Sequence, residues 1–109
     1  MKRTYVHPVI EDDYTWGHPS MLVRCPVCAD EWQHHGEVVV YERKNGEDGP
    51  SLTYGTFSEG SAVLGGGNPS ARRNAIRVQF SGECGHEWFL ELCQHKGQTF
   101  VFASVEVPE

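Results

Sequence analysis

Residues 75–107, AIRVQFSGECGHEWFLELCQHKGQTFVFASVEV, contain three runs in which apolar and polar side chains alternate. The runs cover residues 75–81, 88–93 and 99–107. An alternation with a period of two is typical of a β-strand that is buried on one face. Gly97 lies between the last two runs, where it supplies the positive φ that a tight turn needs. The stretch therefore predicts three antiparallel strands, of which the last two form a hairpin.

The rest of the chain indicates one further strong strand and several irregular segments. Residues 37–42, EVVVYE, are rich in β-branched side chains and predict a strand that leads into turn-prone residues 45–50. Residues 52–57 predict a weaker strand that pairs back on it, and the glycine-rich residues 60–71 predict a loop. Apolar residues do not recur at the helical period. The expected fold is therefore mainly β, a small antiparallel sheet.

Charge and apolar content restrict the classes of function. The formal net charge of −6 opposes general attraction to nucleic-acid phosphates and favours a protein partner with a basic surface. No stretch approaches the roughly 18 apolar residues of a membrane span, and the first residues lack the apolar run of a signal peptide. We therefore expect a cytoplasmic protein, in a reducing compartment where the four cysteines remain thiols.

Three of the cysteines have the spacing of a metal site. Cys25-Pro-Val-Cys28 is a turn in which both sulfurs can approach one zinc ion at about 2.3 Å. A redox pair shares this spacing, but it is expected beside a βαβ unit, which the sequence does not predict. Cys84 lies in a second, glycine-flanked turn and is the natural third ligand. Gly82 stands where many zinc knuckles carry another cysteine, so a histidine is expected to complete the site.

Four residues compete for the fourth position. His34 and His35 follow Cys28 closely, and either could fold back onto the metal. His86 could bind only if the second turn aims its ring inward. Cys93 lies near the far end of a predicted strand and is better explained as a buried thiol. We take His34 as the first candidate, with His86 and His35 as alternatives.

Together, these motifs resemble a family of small bacterial and phage zinc-ribbon-like proteins of uncharacterised function. The matching segments are CPVC at 25–28, His34, FSGECGHEW at 80–88, HKGQT at 95–99 and GNPSARR at 67–73. In that family a CPxC turn is followed by a histidine, and a GEC-type turn leads into a strand ending in HKGxT. The GNPSARR segment also recurs in relatives that carry an extra cysteine in the second turn. The resemblance covers roughly residues 22–103 and implies zinc-ribbon-like knuckles with Cys25, Cys28, His34 and Cys84 as ligands of a structural Zn²⁺.

The chain has the length of one domain, with 109 residues and 39% hydrophobic side chains. Residues 1–20 contain two His-Pro pairs, which favour extended backbone and predict an N-terminal arm. Residues 21–109 then form a single zinc-binding β domain. Its hydrophobic core is small, so a bound structural metal ion would add to the stability of the domain.

The leading functional prediction is a non-enzymatic protein-interaction module that holds a structural zinc. The occurrence of the similar family in phages suggests a host factor as the partner, and exposed sheet edges make a homodimer plausible. The alternative is a nucleic-acid-binding zinc ribbon that uses Arg72, Arg73, Arg77 and Lys96. A metallohydrolase is less favoured, because His35-Gly-Glu37 stands in the wrong order for a deaminase, although Glu37 or Glu83 could serve as a base.

Overall fold

The computed structural model describes residues 2–43, 51–55, 62–64, 68–70 and 73–107. Every regular element in these ranges is a β-strand, which confirms the prediction of a mainly β fold. The strands are β1 (Lys2–Val6), β2 (Val9–Asp13), β3 (Ser20–Arg24), β4 (Gln33–Arg43), β5 (Ser51–Gly55), β6 (Ala62–Leu64), β7 (Ala75–Gly82), β8 (Glu87–His95) and β9 (Gln98–Val107). The described ranges contain no helix that could cross a membrane.

Seven strands form one sheet in the order β1-β9-β8-β7-β4-β5-β6, and β2 pairs with β3 in a separate two-stranded sheet. All of these pairings are antiparallel. The three strands predicted from residues 75–107 are therefore adjacent in the sheet. Lys96 and Gly97 join β8 to β9 with φ values of 50° and 81°. Two successive positive φ values suit a hairpin turn that follows the strand twist, so the turn predicted at Gly97 is confirmed.

The structure differs from the predicted elements around β4 and in the glycine-rich segment. β4 begins at Gln33 rather than at residue 37, and its register with β7 shifts between His35 and Val38. Part of the predicted loop at 60–71 forms β6, because it pairs with β5. The predicted turn at 45–50 lies outside the described residues, as do residues 56–57, 60–61, 65–67 and 71 of the predicted strand and loop.

The predicted N-terminal arm takes part in both sheets. Its first strand, β1, pairs with β9 along the edge of the main sheet, with Lys2 opposite Val107. Its second strand, β2, pairs with β3, so that Val9 lies opposite Arg24. The extended backbone expected for residues 1–20 is therefore used in strand pairing.

One face of the main sheet carries the larger core cluster. Phe80 and Trp88 stack with their ring centroids 4.5 Å apart, and Ala103 and Val105 pack beside them. The β2–β3 hairpin covers this face, because Val23 packs against the cluster and Cys25, directly after β3, belongs to it. The first cysteine of the CPVC turn is thus fixed against the core.

The opposite face holds a smaller cluster and a buried charge. Glu91 on β8 is 0% exposed, although it is charged. The Nε of Arg77 donates a hydrogen bond of 2.5 Å to Glu91 Oε1, and Arg3 Nη1 lies 3.6 Å from the same oxygen. The Arg77 guanidinium also lies over the ring of Tyr41, which belongs to that cluster. A buried carboxylate between two guanidinium groups is compensated by charge on its own sheet face.

Candidate metal centre

Four ligand atoms converge at one end of the main sheet. The Sγ atoms of Cys25, Cys28 and Cys84 and a ring nitrogen of His86 lie within 4.8 Å of one another. Cys25 and Cys28 follow β3, whereas Cys84 and His86 lie in the connection between β7 and β8. Two turns that are distant in sequence therefore meet in a Cys3His cluster that can hold a metal ion.

The spacing of these atoms fits a tetrahedral zinc ion. Cys25 Sγ and His86 Nδ1 are 3.6 Å apart. Zinc–sulfur and zinc–nitrogen bonds of about 2.3 and 2.05 Å at a tetrahedral angle place the two ligand atoms about 3.6 Å apart. Two thiolates on the same ion would be about 3.8 Å apart, so a cluster spanning up to 4.8 Å needs to contract by about 1 Å.

Backbone hydrogen bonds form the first turn. The N–H of Cys25 donates to the carbonyl of Asp30 at 2.9 Å, and the N–H of Ala29 donates to the carbonyl of Cys25 at 2.8 Å. Ala29 has a φ of 65°, in the left-handed region that lets the chain turn back after Cys28. The turn therefore presents Cys25 and Cys28 toward the same point.

The second turn is closed in a similar way. The N–H of Gly82 donates to the carbonyl of His86 at 2.9 Å, and the N–H of Gly85 donates to the carbonyl of Gly82 at 3.0 Å. Gly85 has a φ of 90°, a conformation that glycine adopts without steric cost. This tight closure aims the His86 ring toward the same point as Cys84. His86 was expected to bind only if the second turn aimed its ring inward, and the turn has this geometry.

Gln33 connects the two turns and was missed by sequence reasoning. Its Nε2 donates to the carbonyl of Asp30 at 3.2 Å and approaches Cys84 Sγ at 3.8 Å. Its Oε1 accepts a hydrogen bond of 2.8 Å from the indole of buried Trp88. Gln33 thus links Cys84 to the buried Trp88 and helps to orient the thiol, as hydrogen-bond partners of metal ligands do. No sequence signal identified it, because a glutamine beside two histidines fits no ligand motif.

His34, the first candidate for the fourth ligand, lies outside the cluster. It is 71% exposed in its side chain, and its Nε2 lies 3.2 Å from Glu83 Oε2. The prediction of His34 as the fourth ligand is therefore corrected. β4 begins at Gln33, and side chains alternate along a strand, so Gln33 points toward Cys84 and His34 points away. His35 instead makes an edge contact with Phe80, at a centroid distance of 6.3 Å. His86 takes the fourth place.

The environment of the thiols favours a thiolate at Cys84. A backbone hydrogen bond from His86 is the main cause that lowers the pKa of Cys84 to about 6, although desolvation opposes it. A backbone hydrogen bond at Asp30 lowers the pKa of Cys28, but desolvation and the neighbouring thiols outweigh it, and the pKa of Cys28 is raised. The thiolate is the form that binds metal, and Cys84 presents it at neutral pH.

Cys93 is the remaining cysteine, and it lies apart from the cluster. It belongs to the small core cluster with Tyr41 and Ala75. Burial raises the pKa of the Cys93 thiol to about 11, with a further contribution from the charge of Glu91. Its placement agrees with a structural thiol.

The residues proposed for nucleic-acid contact differ in their surroundings. Arg77 is hydrogen-bonded to Glu91 and lies over two aromatic rings. Lys96 is exposed in the turn between β8 and β9. Arg73 precedes β7, and Arg72 lies outside the described residues. The guanidinium of Arg77 is therefore already used within the sheet.

Comparisons of this chain with protein-family models, with curated proteins and with solved structures found no match.

Proposed function

We propose that the protein is a small binding domain in which Cys25, Cys28, Cys84 and His86 hold one structural Zn²⁺. The observation that carries the proposal is the convergence of four ligand atoms, from two separate turns, within 4.8 Å. Three thiolates and one imidazole form a donor set that zinc prefers. Four protein ligands complete a tetrahedron and leave no position for a reacting water, so the proposed role of the ion is structural.

The proposed ion fastens the small sheet to the large one. β2 and β3 form only a two-stranded sheet, and such a hairpin is marginally stable by itself in water. Cys25 directly follows β3, and Cys84 and His86 lie in the connection between β7 and β8, two inner strands of the main sheet. A metal bridge between these points holds the hairpin on the core face around Trp88.

We propose that the end of the molecule that carries the β2–β3 hairpin and the two metal-binding turns binds another protein with a basic surface. The chain has a net charge of −6, which favours a cationic partner. Several large apolar side chains around the hairpin and the first turn are exposed to solvent: Tyr14, Trp16, Met21, Val27 and Trp32. Trp16, Met21 and Trp32 line one cavity, and exposed apolar side chains that lie together mark interaction sites.

Metal analysis of the purified chain and of single variants tests the zinc site. We expect about one equivalent of zinc in the wild type and a loss of at least half of it in Cys84→Ser and His86→Ala. His34→Ala is the matched control, because His34 lies outside the cluster, and it should retain its metal. Less than about half an equivalent in the wild type, or equal losses in His34→Ala and His86→Ala, would contradict the proposal.

A further inference from the structure

An open cavity of about 340 Å³ lies between the β2–β3 hairpin and the segment that precedes β4. Its walls come from the β2–β3 hairpin, through Trp16 and Leu22, and from the segment before β4, through Glu31 and Trp32. This volume is at the lower end of the range for small-ligand sites, so the cavity suits one side chain better than a large cofactor.

Two of the three tryptophans of the chain line this cavity and remain exposed. Trp16 is 76% exposed and Trp32 is 60% exposed, whereas Trp88 is buried in the core. Among the residues that the structure describes, packing leaves most of the surface of the first two indole rings open to solvent. Tryptophan has the aromatic face that attracts cations most strongly, and it is enriched where proteins bind one another.

Carboxylates stand beside the indole rings. Asp13 and Glu31 line the same cavity. Asp13 Oδ1 accepts a hydrogen bond of 2.8 Å from the N–H of Thr15, which fixes the orientation of the carboxylate. Glu31 Oε2 lies 3.6 Å from Arg24, and Arg24 is shared with Glu11. No lysine or arginine lines the cavity in the part of the chain that the structure describes.

We propose that this cavity binds an arginine side chain of a partner protein. A guanidinium group can stack on an indole face while its N–H groups pair with a carboxylate, and it loses less hydration than an ammonium group. Trp16 and Trp32 supply the aromatic faces, and Asp13 and Glu31 supply the negative charge. The inference rests on the proposed function, because it names the group by which the basic partner is recognised.

Hydrogen bonds tie one wall of the cavity to both metal-binding turns. The N–H of Trp32 donates to Asp30 Oδ2 at 3.3 Å, next to the first turn. The carbonyl of Trp32 accepts a hydrogen bond of 2.9 Å from the N–H of Glu83, in the second turn. The position of the Trp32 ring therefore depends on the geometry of the metal centre, whereas Trp16 lies in the turn between β2 and β3.

The test compares two peptides that differ only in whether the side chain ends in a charged guanidinium or a neutral urea group. The zinc-loaded full chain, labelled with ¹⁵N, is titrated with acetyl-Gly-Ser-Gly-Arg-Gly-Ser-Gly-amide and with the same peptide carrying citrulline in place of arginine. We expect the arginine peptide to shift the indole N–H signals of Trp16 and Trp32 saturably, and the citrulline peptide to bind at least about fivefold more weakly. Equal binding of both peptides, or no saturable shift up to about 10 mM, would overturn the proposal.

Variants of the two walls complete the test. Trp16→Ala and Trp32→Ala should each weaken arginine-peptide binding about two- to fivefold, and Trp16→Phe should restore most of it because an aromatic face remains. Tyr14→Ala is the matched control: Tyr14 is 67% exposed in the same hairpin turn but does not line the cavity. An equal loss in Tyr14→Ala and Trp16→Ala would count against the assignment.

Zinc content and circular dichroism, recorded on the same samples, separate this inference from the proposed function. Wild-type chain that holds zinc and folds but does not discriminate between the peptides refutes the arginine site alone. Wild-type chain that folds and binds the arginine peptide while it holds less than about half an equivalent of zinc refutes the structural metal and supports the cavity. Trp16→Ala is the decisive variant, because Trp16 lies away from both metal-binding turns.

Discussion

Gly82 determines the geometry of the metal centre through the side chain that it lacks. A Cβ atom at this position would lie 2.6 Å from Cys84 Sγ and 2.7 Å from Gln33 Nε2. Both distances are far below van der Waals contact, so either group would have to move. The second turn thus carries one thiol, since the space for another is filled by Cys84 and Gln33.

Replacing Gly82 with alanine should weaken zinc binding. The added methyl group displaces Cys84 Sγ or Gln33, and loss of a group that orients a metal ligand commonly lowers affinity by about 10- to 100-fold. Competition with a chelating dye measures the change. Gly36→Ala is the control, because a Cβ atom there would lie 3.6 Å from Gln79 Oε1, an ordinary contact. Wild-type affinity in Gly82→Ala would show that the turn can adapt.

The sequence identified the thiols of the cluster but placed its histidine, His86, behind His34. Cys25, Cys28 and Cys84 stand in motifs whose spacing has a direct geometric meaning, and the structure brings them together. The choice between His34 and His86 depended on which way each ring points. That direction follows from the start of β4 and from the closure of the second turn, and neither can be read from spacing alone.

At the scale of elements, the sequence predicted the strands with regular alternation and missed the weaker ones. β7, β8 and β9 agree with the prediction to within a few residues, because their apolar residues repeat with a period of two. β4 extends back to Gln33 through two histidines and a glycine, residues without a strong strand preference. Pairing with β7 provides the hydrogen bonds that hold this part extended.

β8 also carries a buried charge that no pattern predicted. Glu91 alternates with Leu90 and Leu92, which indicates an outward-facing polar position. Arg77 from the adjacent strand β7 and Arg3 from β1, on the far side of β9, instead cover the carboxylate with their long side chains. Within the described residues, Glu91 Oε2 has no hydrogen-bond partner, so the charge depends on these two guanidinium groups.

Replacing Glu91 with glutamine should cost about 3 kcal/mol of unfolding free energy, because it leaves Arg77 without its buried counter-charge. Urea denaturation of the zinc-loaded protein measures the loss. Glu11→Gln is the matched control, since Glu11 also accepts a 2.5 Å hydrogen bond from an arginine, Arg24, but on an exposed hairpin. Its cost should be much smaller, because water screens exposed ion pairs. Equal costs for the two variants would contradict the importance of burial.

At the scale of the whole molecule, the two sheets differ in how they are held. The main sheet has seven strands and buries Phe80, Trp88 and Ala103. The β2–β3 sheet has two strands and meets the core through Val23 and Cys25. The proposed metal ion would therefore support the part of the fold with the smallest core of its own.

Removal of the metal should release the hairpin before it opens the main sheet. With a chelator present, we expect faster amide hydrogen exchange in β2, β3 and the turn between β7 and β8, while β8 and β9 keep most of their protection. Hydrogen-exchange mass spectrometry at neutral pH resolves these segments. Cys84→Ser serves as the control, because the chelator should have no further effect on it. Uniform loss of protection, or an unchanged hairpin, would refute this order of events.

The pairing of β1 with β9 has a consequence for synthesis on the ribosome. Lys2 lies opposite Val107, so β1 pairs with β9, the strand that comes last in chain order among the described residues. Until residues 98–107 have left the exit tunnel, β1 lacks its partner, and closing so long a loop is entropically slow. The central strands can assemble earlier, because β7, β8 and β9 follow one another in the chain. The sheet therefore gains β1 only once residues 98–107 have left the exit tunnel, when this strand docks along β9.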